Sequence, residues 1–244
     1  RMLAFHSISQ MGYIIMGIGC AAYLGREGAM GVAGALYHIV NHALFKAALF
    51  LGVGAVYFRT NELDMYKLGG LMKNMPVTAI CLFIAVCGIS GVPFFNGFAS
   101  KTILHHAIIE SYEHGHDTTL WLVEKIFILT AAGTFASNMK LFYLTFLGNR
   151  LKEYEHVKPA PLPMKIGMIG FSVAILFLGL FPNWLLETAI GPALAPLGFD
   201  PASHAYSLLY NVQTQVSGLA ILYPAAETFS AVLHNLFSGA VAIL

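Results

Sequence analysis

The stretch Gly88-Ile89-Ser90-Gly91-Val92-Pro93-Phe94-Phe95-Asn96-Gly97 decides the fold. It separates two apolar runs, Pro76 to Val92 and Asn96 to Ile109. Each run is short beside the 20 or so residues that a membrane-crossing helix needs. Pro93 removes a backbone donor, and Gly91 and Gly97 loosen the helix around it. Read as a loop, the stretch joins two crossings. Read as a break, with Gly91, Pro93, Asn96 and Gly97 at its centre, it interrupts one.

Basic residues discriminate between the two readings, because they collect on one side of a membrane. With a single broken crossing, Arg1, Arg59, Lys67, Lys73, Lys140, Arg150, Lys152, Lys158 and Lys165 share a side. Only Arg26 and Lys125 fall opposite, among Glu27, Glu110, Glu113, Asp117, Glu124, Glu187 and Asp200. Two crossings would put the cluster from Lys140 to Lys165 opposite the one from Arg59 to Lys73. The single broken crossing is therefore preferred. The basic loops, 59–73 and 148–165, are expected to be cytoplasmic, in a prokaryotic cytoplasmic membrane. Backbone groups freed at a break inside a membrane must be satisfied by protein or by a wet cavity. Such breaks mark ion pathways in transporters, although a plain proline kink would read the same in sequence.

Around this centre the chain reads as an all-α, polytopic membrane bundle. Further spans are expected over Met2–Leu24, Ala29–Phe58, Leu120–Leu147 and Pro163–Leu186. Of 244 residues, 57% are hydrophobic and 10% charged, with mean hydropathy +0.71. Soluble domains carry roughly 25% charged residues. A net charge of +1 gives no electrostatic basis for nucleic-acid binding. Cys20, Cys81 and Cys87 lie in apolar runs without a CxxC pair and read as small buried residues. The expected organisation is 1–187 as the membrane bundle and 188–244 as an extension, forming an extra membrane helix or a lateral one. Its last part, from Tyr206, is interrupted by Pro224 and carries Asn211, Gln213, Gln215, Glu227 and His234. Arg1 in place of an initiator Met suggests a fragment, or one half of a larger or split subunit.

The chemistry is expected inside the helices. His38, His42 and Lys46 stand at i, i+4 and i+8, forming one stripe about 12 Å long and roughly 80° wide at about 1.5 Å and 100° per residue. A lysine near mid-span costs at least about 2.5–3.5 kcal/mol to insert and usually faces a bundle interior or wet cavity. A desolvated amine gives up its proton more readily, and imidazole titrates near neutrality. A water-bridged row of such groups can pass a proton. Lys101 lies just beyond the break, with His105 one turn on and His106 beside it, placed to form part of an exit. His6 and Lys140 are weaker relay candidates. Lys140 also reads as a snorkelling side chain, and Ser7, Ser9 and Gln10 read as helix-packing residues. Glu124 and Lys125 read as interfacial anchors. A metal or haem on His38 and His42 is not expected: no carboxylate or thiolate stands beside them, and Lys46 would repel a cation. No haem, flavin or iron–sulfur motif is present, so no cofactor is expected.

These segments resemble a known family. Leu3-Ala-Phe-His-Ser-Ile-Ser-Gln-Met-Gly-Tyr13 is similar to the "LAYSSISQ-GY" stretch of antiporter-like subunits. Such subunits occur in respiratory complex I, membrane-bound hydrogenases and multisubunit cation/proton antiporters. His38-x3-His42-Ala-Leu-Phe-Lys46-Ala-Ala-Leu-Phe50, Lys67-Leu-Gly-Gly-Leu71 and Gly91-Val-Pro93-x2-Asn96-Gly97-Phe98-x2-Lys101 resemble further motifs of that family in the same order. The resemblance runs to about Phe181. It implies the second half of a fold of 14 core helices built on two inverted five-helix repeats. Lys46 would be the central lysine, Lys101 the broken-helix lysine towards the exit, and His38 and His42 part of a water-linked axis. The first-repeat Glu–Lys pair would be supplied from outside these residues.

The leading functional expectation is proton translocation, as a membrane subunit of a redox-driven complex whose redox chemistry lies in other subunits. The alternatives are a subunit of an Na⁺/H⁺ antiporter, a non-conducting structural membrane subunit, and a membrane metalloenzyme. Expected partners are other membrane subunits, including whatever supplies the first half, together with H⁺, Na⁺ in the antiporter reading, and lipid.

Overall fold

Local chemistry sets the helix ends in the computed structural model, which describes residues 1–149 and 152–199. Helix α1 (Met2–Leu24) stops at Gly25, where φ is 63°. Helix α2 (Ala29–Thr60) stops at Asn61, in the left-handed conformation asparagine tolerates. Helix α3 (Pro76–Ser90) opens on a proline at its first turn, where the missing N–H costs nothing. It closes at Gly91, φ 78°, with the Val92 N–H reaching back to the Cys87 carbonyl at 3.1 Å. Helix α4 (Asn96–Gly115) follows. Helix α5 (Thr118–Phe142) runs on into a π turn, Tyr143–Leu147. The exposed Asp117 carboxylate caps α5 by accepting from the Thr119 N–H at 2.8 Å, and that bond holds its carboxyl below the usual range.

Helix α6 (Leu162–Leu180) ends six residues before the expected Leu186. Pro182 has no N–H to continue the ladder, and Phe181 is pushed out of the helical region, to φ −123° and ψ 60°. The chain restarts as α7 (Pro182–Leu185), a π turn over Leu186–Ile190, α8 (Gly191–Leu194) and a 3₁₀ turn over Ala195–Leu197. Of the expected extension, the segment from Tyr206 onward lies outside the described residues. The two short helices also differ from expectation at their ends: α3 stops at Ser90, and α4 continues to Gly115.

The pairing along α2 shows that α3 and α4 form one broken crossing. Going up α2, Gly34 lies against Leu104 and Ile103, His38 bonds Ser100, and Asn41 bonds the Asn96 carbonyl. Phe45 then lies against Gly88, and Gly52 against Leu82. Partner numbers fall steadily as α2 numbers rise, across the break and without a reversal. Both short helices therefore run antiparallel to α2, end to end.

The loops agree. Asn74 Nδ2 donates to the carbonyls of Tyr154, Glu155 and Val157, and Arg59 Nε to that of Pro159, so both basic loops share one end of the bundle. At the other end Glu27 pairs with His114 at 3.7 Å, and Tyr23 lies against Gly115.

Helix α2 is central, packed by α1, α3, α4 and α6. A Cβ on Gly17 or on Gly31 would strike the other's carbonyl, so α1 and α2 touch backbone to backbone. Among the described residues four helices are long and apolar enough to cross a membrane: α1, α2, α5 and α6. With the broken α3–α4 crossing, these make an integral membrane bundle. Trp121, Leu122, Ile126, Leu129 and Phe135 of α5 are exposed, as suits a face turned to lipid or neighbouring subunits.

Candidate functional site

The break creates the first polar demand. In a continuous helix the Ile89 carbonyl would accept from the N–H of residue 93, which is a proline. Lys101 Nζ takes that place, donating to the Ile89 carbonyl at 2.7 Å. Asn41 Nδ2 donates to the Asn96 carbonyl at 2.7 Å. The carbonyl freed at the break is thus satisfied by a side chain of α4, as apolar surroundings require, while Asn41 adds a second bond to a carbonyl in the first turn of α4. A Cβ on Gly97 would run into the Gly88 carbonyl, so the two helix ends meet in direct backbone contact. Helix α6 closes behind them with Ile175 and Gly179.

The stripe on α2 faces inward. Lys46 is buried, and its Nζ donates to the Leu3 carbonyl of α1 at 2.6 Å, with the Phe50 ring 5.8 Å away. His42 is half-buried, one turn away, and its Nε2 is buried without a hydrogen-bond partner among the described residues. Its ring stacks on that of His38 at 6.4 Å between centroids. His38 is fully buried and ties three helices together. Its Nδ1 lies 2.9 Å from Ser100 Oγ on α4, and its Nε2 lies 3.0 Å from Gln10 Oε1 on α1. Ser100 adjoins Lys101, which is also buried and whose Nζ stands 5.5 Å over the Tyr13 ring. Tyr13 meets His38 edge-on at 5.7 Å. Lys46, His42, His38 and Lys101 are therefore gathered into one buried row, alongside the discontinuity at Gly91, Pro93, Asn96 and Gly97.

One face of α1 walls this row. The Leu3 carbonyl meets Lys46, Gln10 meets His38 and Tyr13 meets Lys101, at positions that share a helical face. Sequence reading missed Gln10, Tyr13 and Ser100 as neighbours of the row. The available signal was the spacing of Leu3, Gln10 and Tyr13, together with the adjacency of Ser100 to Lys101.

Of the remaining candidates His6 lies nearest, half-buried on α1 within electrostatic reach of both Lys46 and Lys101, and it bonds Ser137 Oγ of α5 at 2.8 Å. The others sit apart. His105 meets Glu124 at 3.3 Å towards the acidic end of the bundle. His106 turns back onto the Thr102 carbonyl of its own helix at 3.0 Å. Lys140 is exposed, its Nζ 5.0 Å over the Tyr66 ring of the basic-end loop, as a snorkelling side chain would be. Among the described residues no three His, Cys, Asp or Glu side chains converge as a metal site would need.

Comparison with known proteins matches residues 1–132 to a family described as NADH:quinone oxidoreductase/Mrp antiporter, transmembrane. Formate hydrogenlyase subunit 3 of Escherichia coli is 33% identical over 216 residues, covering 85% of this chain and 35% of that protein. An Na⁺/H⁺ antiporter subunit of Alkalihalophilus pseudofirmus is 34% identical over 206 residues, covering 79% of this chain and 26% of that protein. A chain in the solved archaeal membrane-bound sulfane sulfur reductase, a respiratory membrane complex, superposes with TM-score 0.65 at 32% identity, covering 76% of this chain and 29% of its own. The chain thus spans about a third or less of the length of these relatives.

Proposed function

This chain belongs to the NADH:quinone oxidoreductase/Mrp antiporter transmembrane family, and from that membership we propose that it carries protons along the Lys46–His42–His38–Lys101 row as a membrane subunit of a redox-driven complex. The observation that carries this reading is His38, fully buried yet bonded on both ring nitrogens, to Gln10 of α1 and Ser100 of α4. Ser100 Oγ is also 3.3 Å from the Gly97 carbonyl. The hydroxyl can donate to neutral His38 Nδ1. It can equally donate to Gly97 while accepting from the Nδ1–H of a charged imidazolium. His38 can therefore hold one proton or two and keep both hydrogen bonds, which suits a group that receives a proton and passes it on.

The transfer runs from the Lys46 ammonium through water to His42 Nε2, then to His38, then by way of the Ser100 hydroxyl and water to the Lys101 amine. Each donor returns to its neutral form as the next group takes the charge. Electrons are handled by other subunits, and other membrane subunits complete the channel. The basic loops, 59–73 and 148–165, face the cytoplasm of a prokaryotic cell, and Lys46 is loaded from that side. Residues 1–187 form the conducting bundle and 188–244 its extension. The similarity to the Na⁺/H⁺ antiporter of Alkalihalophilus pseudofirmus favours a second reading, in which the same row serves sodium/proton exchange.

Vesicles holding the assembled complex test the two readings together. Acidification driven by substrate oxidation without sodium supports the first. Acidification seen only with an imposed sodium gradient supports the second. No proton movement under either condition overturns both.

A further inference from the structure

Glu124, on α5, is a carboxylate the row above does not use. It lies at the end of the second turn of the helix, with its side chain only 19% exposed. Carboxylates inside membrane helices are costly and tend to be paired and functional. Glu124 is paired on both oxygens, Oε1 with His105 Nε2 of α4 at 3.3 Å and Oε2 with Lys125 Nζ at 2.9 Å.

Side-chain contacts lead from this pair back to the row without a gap. The His105 ring lies flat on Phe127, centroids 5.4 Å apart and planes 12° apart. Phe127 meets Tyr13 edge-on at 4.9 Å, and Tyr13 is the ring beneath Lys101 Nζ. Lys101 and His105 share a face of α4, about 6 Å apart along the axis at 1.5 Å per residue. The Phe127 ring carries no exchangeable proton, so it fences the path and leaves the Lys101–His105 face of α4 as the polar side.

We propose that His105 and Glu124 form the proton-release station of the relay, with Glu124 the last protein group before water; this rests on the proton-conducting reading given above. The Lys101 ammonium gives its proton through water to His105 and becomes the amine. The His105 imidazolium passes it from Nε2 to Glu124 Oε1, and the resulting carboxylic acid releases it to water at the end of the bundle that carries Arg26, Glu27 and His114. Lys125, 46% exposed, holds Oε2 and leaves Oε1 as the accepting atom. The groups facing the station are His105 and His106 from α4 and Lys125 from α5. His106 bonds the Thr102 carbonyl and does not compete for Glu124.

The test uses the complete complex in vesicles, with rates taken per assembled complex and the pH of the Glu124-side compartment varied. Glu124→Gln is expected to slow transport about tenfold or more, the scale of a lost proton-transfer group. It should also abolish the dependence of rate on that compartment's pH, because the group that meets that water no longer exchanges a proton. Glu124→Asp should restore both. Lys101→Ala, run alongside, separates this proposal from the reading beneath it. Transport unchanged in Lys101→Ala overturns that reading. Transport lost in Lys101→Ala but normal in rate and pH dependence in Glu124→Gln overturns the release station. A Glu124→Gln complex that assembles poorly yet pumps normally per assembled copy overturns it as well, leaving a structural pair.

Discussion

Lys101 Nζ donates a 2.7 Å hydrogen bond to the Ile89 carbonyl, the group that Pro93 leaves without a helical partner. The same side chain therefore closes the break and ends the buried row. A proline in a membrane helix frees a carbonyl that must find a donor in apolar surroundings. The donor found here is an amine able to exchange its proton. The fold supplies its own reason for burying a lysine, and the proposed relay uses that lysine.

Gly97→Ala should unfold the break. The added Cβ would run into the Gly88 carbonyl, and such overpacking costs about 1–3 kcal/mol. A melting curve of the purified protein in detergent should show the loss. Gly12→Ala, at an exposed helical position with open space around it, is the control and should melt at or above the wild-type temperature.

Asn41→Leu should loosen the same region by another route. It removes the Asn41 donor from the Asn96 carbonyl, which keeps its bond within α4, and one lost hydrogen bond costs about 0.5–1.5 kcal/mol. Amide exchange should accelerate in the first turns of α4, with little change in α1.

His38→Gln separates hydrogen bonding from proton carriage. The amide can still bond Gln10 and Ser100 but does not titrate near neutrality. Transport should fall about tenfold or more, with melting temperature nearly unchanged. A variant that pumps at the full rate would restrict His38 to a bonding role.

Lys140→Gln should leave transport within about twofold, a change of less than 0.5 kcal/mol in barrier. The side chain is exposed over Tyr66, outside the buried row. The check is the vesicle assay at equal assembled protein.

What could be read from the sequence follows physical range. The limits of α1, Met2 and Leu24, and the discontinuity around Gly91, Pro93 and Gly97 rest on local hydropathy and backbone chemistry, and they were legible. So was the choice of one crossing over two, because charge asymmetry is a property of the whole chain. The inward stripe of His38, His42 and Lys46 followed from helical spacing. The partners of that stripe did not. Gln10 reaches His38 across 28 positions, and Ser100 reaches it across 62, and nothing local announces either. The early end of α6 was overrun because apolar residues continue past Phe181, although Pro182 was the available signal. The pairing of Glu124 with His105 needs α4 and α5 laid side by side, a relation that hydropathy does not carry.

The central claim is that Lys46 and Lys101 carry the transported proton, and its most direct measurement is proton translocation by the intact complex in vesicles. Wild type is compared with Lys46→Ala and Lys101→Ala at equal assembled protein. The account predicts that both variants assemble and that both lose proton movement. Full proton movement in both would contradict it and leave the buried lysines as ties between helices.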